Sequence, residues 1–396
     1  MRFRHAIAGF AALVTAASGA VVISASDAGA ATSGSAVNIA LLDIESGVYA
    51  APGRHNDIQL AINQINAAGG VDGHKFQYTP YDTGLTPQQA VTATQQAVGA
   101  SPNFILGYSV DDQVQASASL LRQSGIPVLA YAQGPAASST VAKIPNLYTV
   151  VPSLVMAIEA STSYAVNKYH PKTVGIFHTE DTASNADAVV AQALLKKKGV
   201  KSFVVESASD TATDTTQQVI ALKNANLIMS FGFPTVEAVL NTQLAQNGYT
   251  GPIIGDQSGN FLAAYGLNTP AELANYTFTT YCYPPAYSSP QATSYTSAFE
   301  AAYPSANILT STAYVYDSVY LMAAAVKSAG GSLTSSKLVS ALGKITYKGA
   351  CGVYHSDANH DLIHQVALIT YASNPKQGSL AATYVELPLT KVQLSY

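Results

Sequence analysis

The sequence predicts an α/β protein made of two lobes, each built around a parallel sheet. Apolar stretches of strand length alternate with amphipathic helices along most of the chain. The strands are apolar throughout, which is typical of parallel sheets that are covered by helices on both faces. At 396 residues the chain is longer than one hydrophobic core usually holds, and the strand–helix rhythm restarts near residue 150.

The first 30 residues have the layout of a secretory signal peptide. Arg2 and Arg4 precede an uncharged stretch from residue 6 to residue 25, and Ala28 and Ala30 supply the small residues of a cleavage site. We therefore expect cleavage after Ala30, no membrane insertion afterwards, and a secreted or periplasmic protein. The alternative is an uncleaved membrane anchor, since about 20 apolar residues can span a bilayer. No cysteine lies near the cleavage site, so a lipid anchor is not expected.

The composition argues against nucleic-acid binding and predicts a disulfide. Charged residues make up only 11% of the chain and the formal net charge is −4, so the surface offers no basic footprint for nucleic acid. The two cysteines, Cys282 and Cys351, are expected to form a disulfide because an exported chain meets an oxidising compartment. Two buried free thiols are the alternative.

The first half of the alternation contains four predicted strands with helices between them. The strands are "AVNIALLDI", "HKFQYTPYDT", "FILGYS" and "IPVLAYA". The first helix runs from about residue 54 to residue 68, and Gly69 and Gly70 predict its left-handed C-cap, where a side chain would clash. The second helix has Thr86 as its candidate N-cap and Pro87 in its first turn. A third helix is predicted in "QVQASASLLRQSG".

The second half repeats the pattern after a long helix from about residue 155 to residue 169. Its predicted strands are "TVGIFHT", "SFVVES", "LIMSFG", "GPIIGD" and "YTFTTYCYPPAY". Lys196, Lys197 and Lys198 fall in a last helical turn, where cations complement the helix dipole, and we prefer this interpretation to a basic binding patch. The stretch "GVYHSDANHDLIHQVALITYA" predicts a hairpin of two strands around an Asp-Asn turn.

Ligands of parallel sheets bind beyond the carboxyl ends of the strands, where loops meet helix N-termini. The predicted loops at those ends are short and rich in hydroxyl groups and aromatic rings, as in "DIESGVYAAPG", "GYSVDDQVQ" and "AYAQGP". Ser46 and Tyr49, in the first of these loops, are therefore candidate ligand contacts. Such loops suit a small polar organic ligand better than a metal or a phosphate.

The stretch "AINQINAAGGVDGHKFQYTPYDTGLTPQQAV" resembles the hallmark of type I periplasmic binding proteins of the branched-chain (leucine/isoleucine/valine) amino-acid class, which are substrate-binding subunits of ABC importers. "FILGYS", "SGIPVLAYA", "VGIFHTEDTASNADAV" and "YTGPIIGDQSGNF" follow in the family's order. The resemblance extends from about residue 37 to residue 372. It implies two Rossmann-like lobes that close around a ligand and an ABC permease as partner. We also expect a monomer.

The resemblance further implies a hinge of three chain crossings, which we expect near Val151, Tyr283 and Tyr354. The first lobe would then comprise residues 37–151 and 284–353, and the second lobe residues 152–283 and 354–396. Both cysteines fall beside these crossings, which fits a disulfide there.

The family's ligand-binding positions carry over with several replacements. In the loop after the third strand, where the family has hydroxyl residues, this sequence has Asp111 and Asp112. A family aromatic residue is kept as Phe233, and the acidic residue expected to meet the ligand's ammonium is Asp256, or Gln257 in a shifted alignment. The remaining replacements are Gln133 and Gly134 in the loop after the fourth strand, and Ala183 in the loop after the strand "TVGIFHT".

These replacements argue against an ordinary α-amino acid, because one carboxylate repels another. Asp111, Asp112 and Asp256 could attract an amine. The aromatic rings of Tyr108, Tyr131 and Phe233 could stack on such an amine. The alternatives are ordinary packing for each tyrosine and helix N-terminal charge for the two adjacent aspartates.

No catalytic motif is recognised, so we expect no enzyme, no cofactor and no metal. His355, His360 and His364 cluster with two aspartates, but the residues suit an Asp-Asn turn better than a calcium loop. The sequence thus favours a ligand-capturing transport protein. The alternative is a sensor of the same fold that signals to a partner protein, and a secreted enzyme is the least favoured class.

Overall fold

The computed structural model describes residues 34–46, 50, 53–132, 144–306, 308, 312–362, 366–371 and 380–385, the last of these as backbone only. The predicted signal peptide, Tyr49, Gln133, Gly134 and His364 lie outside the described residues. Within the described part of the chain, every helix is too short or too polar to cross a bilayer.

In the described residues, the first sheet has five parallel strands in the order β2-β1-β3-β4-β5. The central strands are buried on both faces, as their apolar sequences predict, whereas the edge strand β2 is mostly exposed. The strands are β1 (Val37–Asp43), β2 (Phe76–Asp82), β3 (Phe104–Gly107), β4 (Val128–Ala130) and β5 (Leu147–Thr149). The helices between them are α1 (Gly53–Ala67), α2 (Pro87–Gly99) and α3 (Asp111–Ser124).

Two predicted helix-end signals are confirmed in this lobe. Gly69 and Gly70 have φ values of 103° and 86°, and a Cβ on Gly70 would lie 2.1 Å from the carbonyl oxygen of His74. At the start of α2, the backbone N–H of Gln89 donates to Thr86 Oγ1, and the Gln89 side chain accepts from the Thr86 N–H. This capping box fixes where the helix begins.

The second sheet has seven strands among the described residues, in the order β14-β13-β10-β9-β8-β6-β7. The run from β10 to β7 is parallel, whereas β13 is antiparallel to both β10 and β14. The strands are β6 (Thr173–Thr179), β7 (Ser202–Ala208), β8 (Leu227–Phe231), β9 (Ile253–Gly255), β10 (Tyr276–Thr280), β13 (Val366–Tyr371) and β14 (Leu380–Val385). The helices are α4 (Leu154–Tyr169), α5 (Thr182–Lys197), α6 (Thr216–Leu222), α7 (Pro234–Gln246) and α8 (Gly259–Ala264).

A later part of the chain returns to the first lobe. Helix α10 packs against α1 and α11, and their side chains share one apolar core. The returning elements are α9 (Pro290–Ala302), α10 (Ala313–Ser328), α11 (Ser335–Leu342), β11 (Thr346–Gly349) and β12 (Gly352–His355). The chain therefore passes between the lobes after β5, after β10 and after β12. The two-lobed α/β class is confirmed, and the lobe boundaries given above stay predictions.

The predicted hairpin after residue 351 is wrong. Strand β12 pairs with β11, whereas β13 pairs with β10 and β14 in the other sheet. The reason is packing: Tyr354 of β12 is buried in the core of the first lobe, and Leu368 of β13 in the core of the second. Between them, Thr149 of β5 exchanges backbone hydrogen bonds with His360 and Leu362.

The predicted turn chemistry does occur between β12 and β13. Asp357 Oδ1 accepts hydrogen bonds from the backbone N–H groups of Asn359 and Asp361 at 2.8 and 2.9 Å. The ring of His360 stacks on Tyr148, with 4.5 Å between ring centres. Among the described residues, no three histidine, cysteine or acidic side chains are grouped closely enough to hold a metal ion.

Cys282 and Cys351 form the predicted disulfide, with 5.1 Å between their Cα atoms. Asp317 of α10 supports one end of it, because its carboxylate accepts from the backbone N–H groups of Ala350 and Cys351, both at 2.8 Å. The hydroxyl of Tyr354 donates to the same carboxylate at 2.9 Å. The bridge therefore joins the crossing after β10 to the turn between β11 and β12.

Candidate functional site

A cavity of about 550 Å³ lies between the carboxyl ends of the two sheets. In the first sheet β1 lies between β2 and β3, and in the second sheet β6 lies between β7 and β8. The cavity wall includes the loops after β1 and β3 of the first sheet and after β6 and β8 of the second. In each sheet these two loops flank the point where the strand order reverses. We call this cavity the cleft.

The first lobe contributes a buried ion pair to the cleft. Arg54, in the first turn of α1, lies 2.6 and 2.7 Å from the two carboxylate oxygens of Asp43, at the end of β1. Ser109 Oγ donates to the same carboxylate at 2.8 Å. Burial opposes the charge of Arg54, but Asp43 holds the pKa of Arg54 well above its ordinary value. The positive charge of Arg54 is thus already balanced within the protein.

Aromatic rings form the apolar part of the cleft wall. The Arg54 guanidinium lies 5.1 Å from the centre of the Tyr131 ring, a cation–π distance. Tyr314 joins this group, with its ring centre 5.7 Å from that of Tyr131 and 5.8 Å from that of Tyr281. Further apolar lining comes from Leu154, Phe233, Phe261 and Tyr265.

The second lobe presents three carboxylates to the cleft, and the first lobe adds Asp111. Asp181 is the N-cap of α5: it accepts from the backbone N–H groups of Ala183 and Ser184, and its other oxygen accepts from Thr179 Oγ1 at 2.6 Å. Asp256 accepts from the backbone N–H of Ser258 at 2.7 Å. These hydrogen bonds give Asp181 and Asp256 local structural roles.

Asp187 has no comparable local role. It is the sixth residue of α5, beyond the first turn, so helix N-terminal charge does not explain it. Its side chain is only 6% exposed, and its Oδ1 atom has no hydrogen-bond partner among the described residues. An unsatisfied buried oxygen of this kind requires an explanation, and a ligand group is one.

Burial and mutual repulsion raise the pKa values of Asp187 and Asp256. Burial is the main cause at Asp187, whose pKa lies well above its ordinary value, and the charges of Asp256, Asp111, Asp181 and Glu237 add to it. Burial also raises the pKa of Asp256 to about 7. Asp187 and Asp256 therefore resist ionisation at neutral pH.

We expect Asp187→Asn to stabilise the protein by about 1–3 kcal/mol at neutral pH, because it removes a carboxyl group that the unfolded chain keeps ionised and that burial disfavours in this form. Because the pKa of Asp187 is higher in the folded than in the unfolded state, the wild type loses stability as the pH rises between these two values. The gain from Asp187→Asn should therefore be complete above the folded-state pKa and absent below about pH 4, where the unfolded aspartate is also protonated. Urea unfolding across this pH range measures it. Asp112→Asn, at a half-buried position outside the cleft wall, is the control. A loss of stability from Asp187→Asn at neutral pH would contradict the prediction.

The cleft brings together six of the residues predicted from the sequence. These are Asp111, Tyr131, Ala183, Phe233, Asp256 and Gln257. Three others lie elsewhere. Ser46 donates to Asp82 at 2.6 Å in an exposed loop, Tyr108 is buried with its hydroxyl 2.6 Å from Thr94 Oγ1, and Asp112 is half-buried outside the cleft wall. Tyr49, Gln133 and Gly134 lie outside the described residues.

The sequence analysis missed Arg54, Asp187, Tyr281 and Tyr314, all of which line the cleft. A signal existed for Asp187, since it lies four residues after the predicted Ala183 and therefore on the same helix face. A signal also existed for Arg54, which opens the helix after the first strand. Tyr281 and Tyr314 reach the cleft from distant parts of the chain, and no local pattern points to them.

A family model described as periplasmic binding protein matches residues 36–376. The chain is 23% identical over 201 residues to the leucine-, isoleucine-, valine-, threonine- and alanine-binding protein of Pseudomonas aeruginosa, covering 50% of this chain and 53% of that one. It is 22% identical over 196 residues to the Leu/Ile/Val-binding protein of Escherichia coli K12, with 48% and 52% covered. The chain thus spans about half the length of the curated relatives that it matches.

Solved structures show the same fold over more of the chain. The branched-chain amino-acid transporter substrate-binding protein LivJ of Streptococcus pneumoniae, in complex with isoleucine, has a TM-score of 0.78 at 21% identity, covering 89% of this chain and 100% of that one. The leucine-binding protein LivK of Thermotoga maritima has a TM-score of 0.79 at 21% identity, with 89% and 99% covered. A solute-binding protein of an ABC transporter from Rhodopseudomonas palustris, in complex with 4-hydroxybenzoate, reaches 0.76 at 16% identity, with 89% and 96% covered.

Proposed function

Because the chain belongs to the periplasmic binding protein family, we propose that it is an extracytoplasmic solute-binding protein. It captures a small polar organic ligand of the amino-acid, amide or amine type and delivers it to an ABC importer. The observation that carries this proposal is the cleft of about 550 Å³ at the carboxyl ends of both sheets. This volume falls in the range of small-molecule sites.

Closure of the lobes links capture to delivery. A ligand that contacts both walls of the cleft favours the closed arrangement, because it binds that arrangement more tightly than the open one. Residues from both lobes would contact it: Asp111, Tyr131 and Tyr314 from the first, and Phe233 and Asp256 from the second. The closed surface is then what a transporter recognises.

The remaining parts of the proposal follow from this role. The protein binds its ligand without chemical turnover, acts as a monomer outside the cytoplasm, and reaches that compartment through a signal peptide cleaved near Ala30. An ABC permease is its partner. The two lobes have the boundaries expected from the sequence. Neighbouring genes for a permease and an ATPase would support delivery, whereas a neighbouring regulator or kinase would favour the sensor alternative.

The test of ligand capture is a thermal melt against a panel of amino acids, amides, amines, aromatic acids and sugars. A ligand at 100 times its Kd stabilises the folded state by about 2.7 kcal/mol, which raises Tm by several degrees. We expect one chemical class to do this after unfolding and refolding have removed any carried-over ligand. No shift with any compound of the panel would count against a small-molecule binding protein.

A further inference from the structure

Two large apolar side chains of the second lobe are exposed where they line the cleft. Tyr265 is 46% exposed and Leu267 is 37% exposed, and both come just after α8. Exposed apolar surface that is gathered at a cavity marks a place where an apolar group binds. The described chain has five other large apolar side chains of comparable exposure, and none of them lines the cleft: Leu85, Val189, Val205, Ile220 and Val353.

The exposed ring of Tyr265 is held in place by a second ring. Phe261 of α8 lies one helical turn earlier, and its carbonyl oxygen accepts from the backbone N–H of Tyr265 at 3.0 Å. The two rings stack, with 5.5 Å between their centres and 8° between their planes. Phe261 thus supports the Tyr265 ring from one side, while much of that ring stays accessible from the cleft. The second lobe therefore presents a flat aromatic surface.

Another group of rings lines the cleft from the side of the first lobe. Tyr281, at the crossing after β10, is partly buried and packs against the core of the first lobe. Its ring makes an edge-to-face contact with Tyr314 of α10, with 5.8 Å between ring centres. The backbone N–H of Tyr281 donates to Gln257 Oε1 at 2.9 Å, and the next residue, Cys282, is in the disulfide. Tyr281 is therefore fixed before any ligand binds.

Arg54 relates the two aromatic groups to each other. Burial raises the pKa of Tyr265, whereas the positive charge of Arg54, which belongs to the first lobe, lowers it. Burial lowers the pKa of Arg54, and Asp43 and Tyr314 raise it. One guanidinium thus lies within electrostatic range of aromatic side chains from both lobes. A planar group that enters the cleft between them would contact aromatic surface on two sides.

We propose that the ligand carries an aromatic ring, and that this ring binds between Tyr265 of the second lobe and Tyr281 at the crossing. This inference rests on the proposed function, since it assigns the ligand class of the same cleft. Aromatic rings prefer offset or edge-to-face contacts with other rings, and such contacts add to the stabilisation that buried area alone supplies. Closure around the ring would bury the exposed surface of Tyr265, which makes Tyr265 a specificity-determining residue.

The test uses compounds that share a polar head group and differ only in an apolar end, which is phenyl, cyclohexyl or isopropyl. The amino acids are phenylalanine, cyclohexylalanine and leucine. The amines are 2-phenylethylamine, 2-cyclohexylethylamine and 3-methylbutylamine, and the amides are 3-phenylpropanamide, 3-cyclohexylpropanamide and 4-methylpentanamide. Calorimetry and thermal melts of the refolded protein measure the binding of each. The cyclohexyl compounds are the controls for size, because they lack an aromatic face.

The expected order of affinity is the same for whichever head group binds. The phenyl compound should bind at least about 10-fold more tightly than the isopropyl compound, because it buries more apolar surface. It should also bind about 3- to 10-fold more tightly than the cyclohexyl compound, because only the phenyl ring makes aromatic contacts. We call this second ratio of affinities the aromatic preference.

Variants assign the aromatic preference to Tyr265. Tyr265→Leu should weaken binding of the phenyl compound by about 3- to 10-fold and abolish the preference, whereas Tyr265→Phe should keep it. Phe261→Leu should reduce the preference, because Phe261 supports the Tyr265 ring. Tyr249→Leu is the matched control and should leave the preference unchanged, since Tyr249 is a half-buried tyrosine of the second lobe outside the cleft wall. Melting curves without ligand confirm that each variant is folded.

The outcomes separate this inference from the function beneath it. An isopropyl or cyclohexyl compound that binds as tightly as its phenyl counterpart would overturn the inference and leave ligand capture standing. So would an aromatic preference that Tyr265→Leu does not change, or binding confined to panel compounds without an aromatic ring. If no compound of the full panel binds, the proposed function itself fails, and the inference falls with it.

Discussion

Gly107→Ala is expected to destabilise the protein by about 3–5 kcal/mol, enough to unfold the first lobe or prevent its folding. Gly107 ends β3 with φ at 135°, a conformation that side chains rarely adopt. A Cβ at this position would lie 1.9 Å from the carbonyl oxygen of Leu42 in the neighbouring strand. Strands β1 and β3 would have to move apart.

The measurement is urea unfolding, followed by circular dichroism, of the wild type and the variant. Gly99→Ala is the matched control, because a Cβ at Gly99 meets no atom within 4 Å. The control should change stability by less than about 1 kcal/mol. Because Gly107 leads into the loop before Asp111, any folded Gly107→Ala protein should also bind ligand poorly. An unfolding midpoint for Gly107→Ala equal to that of Gly99→Ala would contradict the prediction that a side chain at position 107 destabilises the sheet.

Removal of the disulfide is expected to cost about 4 kcal/mol. The bond between Cys282 and Cys351 closes a loop with a sequence separation of 69 residues, and a loop of that length carries about that much entropy in the unfolded chain. The double variant Cys282→Ala and Cys351→Ala should therefore unfold at a clearly lower urea concentration. The wild type with a reducing agent should shift toward the variant, and the reducing agent should not affect the variant. Equal midpoints with and without the bond would contradict the prediction.

Most of the fold could be predicted because its signals are local. The apolar strands, the glycine pair after α1 and the Thr86 capping box each depend on a few neighbouring residues. The partner of β12 could not be predicted in this way. Its sequence suits a strand in either sheet, and the choice depends on where Tyr354 is buried, beside residues far away in the chain.

The candidate site likewise contains some residues that local sequence predicts and others that only the folded structure reveals. Phe233 and Asp256 lie directly after strands, and the order of the chain places such residues at the carboxyl edge of a sheet. Tyr108 also follows a strand, but its side chain packs beneath α2 beside Thr94, because successive residues point to opposite sides of a sheet. Tyr281 and Tyr314 enter the cleft from a crossing and from a later helix, so only the folded chain brings them there.

The three crossings also determine when this protein can become folded during its synthesis. The strands of the first sheet are complete by residue 149, yet α10, which covers α1, ends at residue 328. The second sheet likewise waits for β13 and β14, and β14 ends at Val385. Neither lobe is a continuous piece of the chain, so neither core can close while the ribosome is still making the middle of it. We therefore expect the nascent chain to stay largely unfolded until nearly all of it has been synthesised.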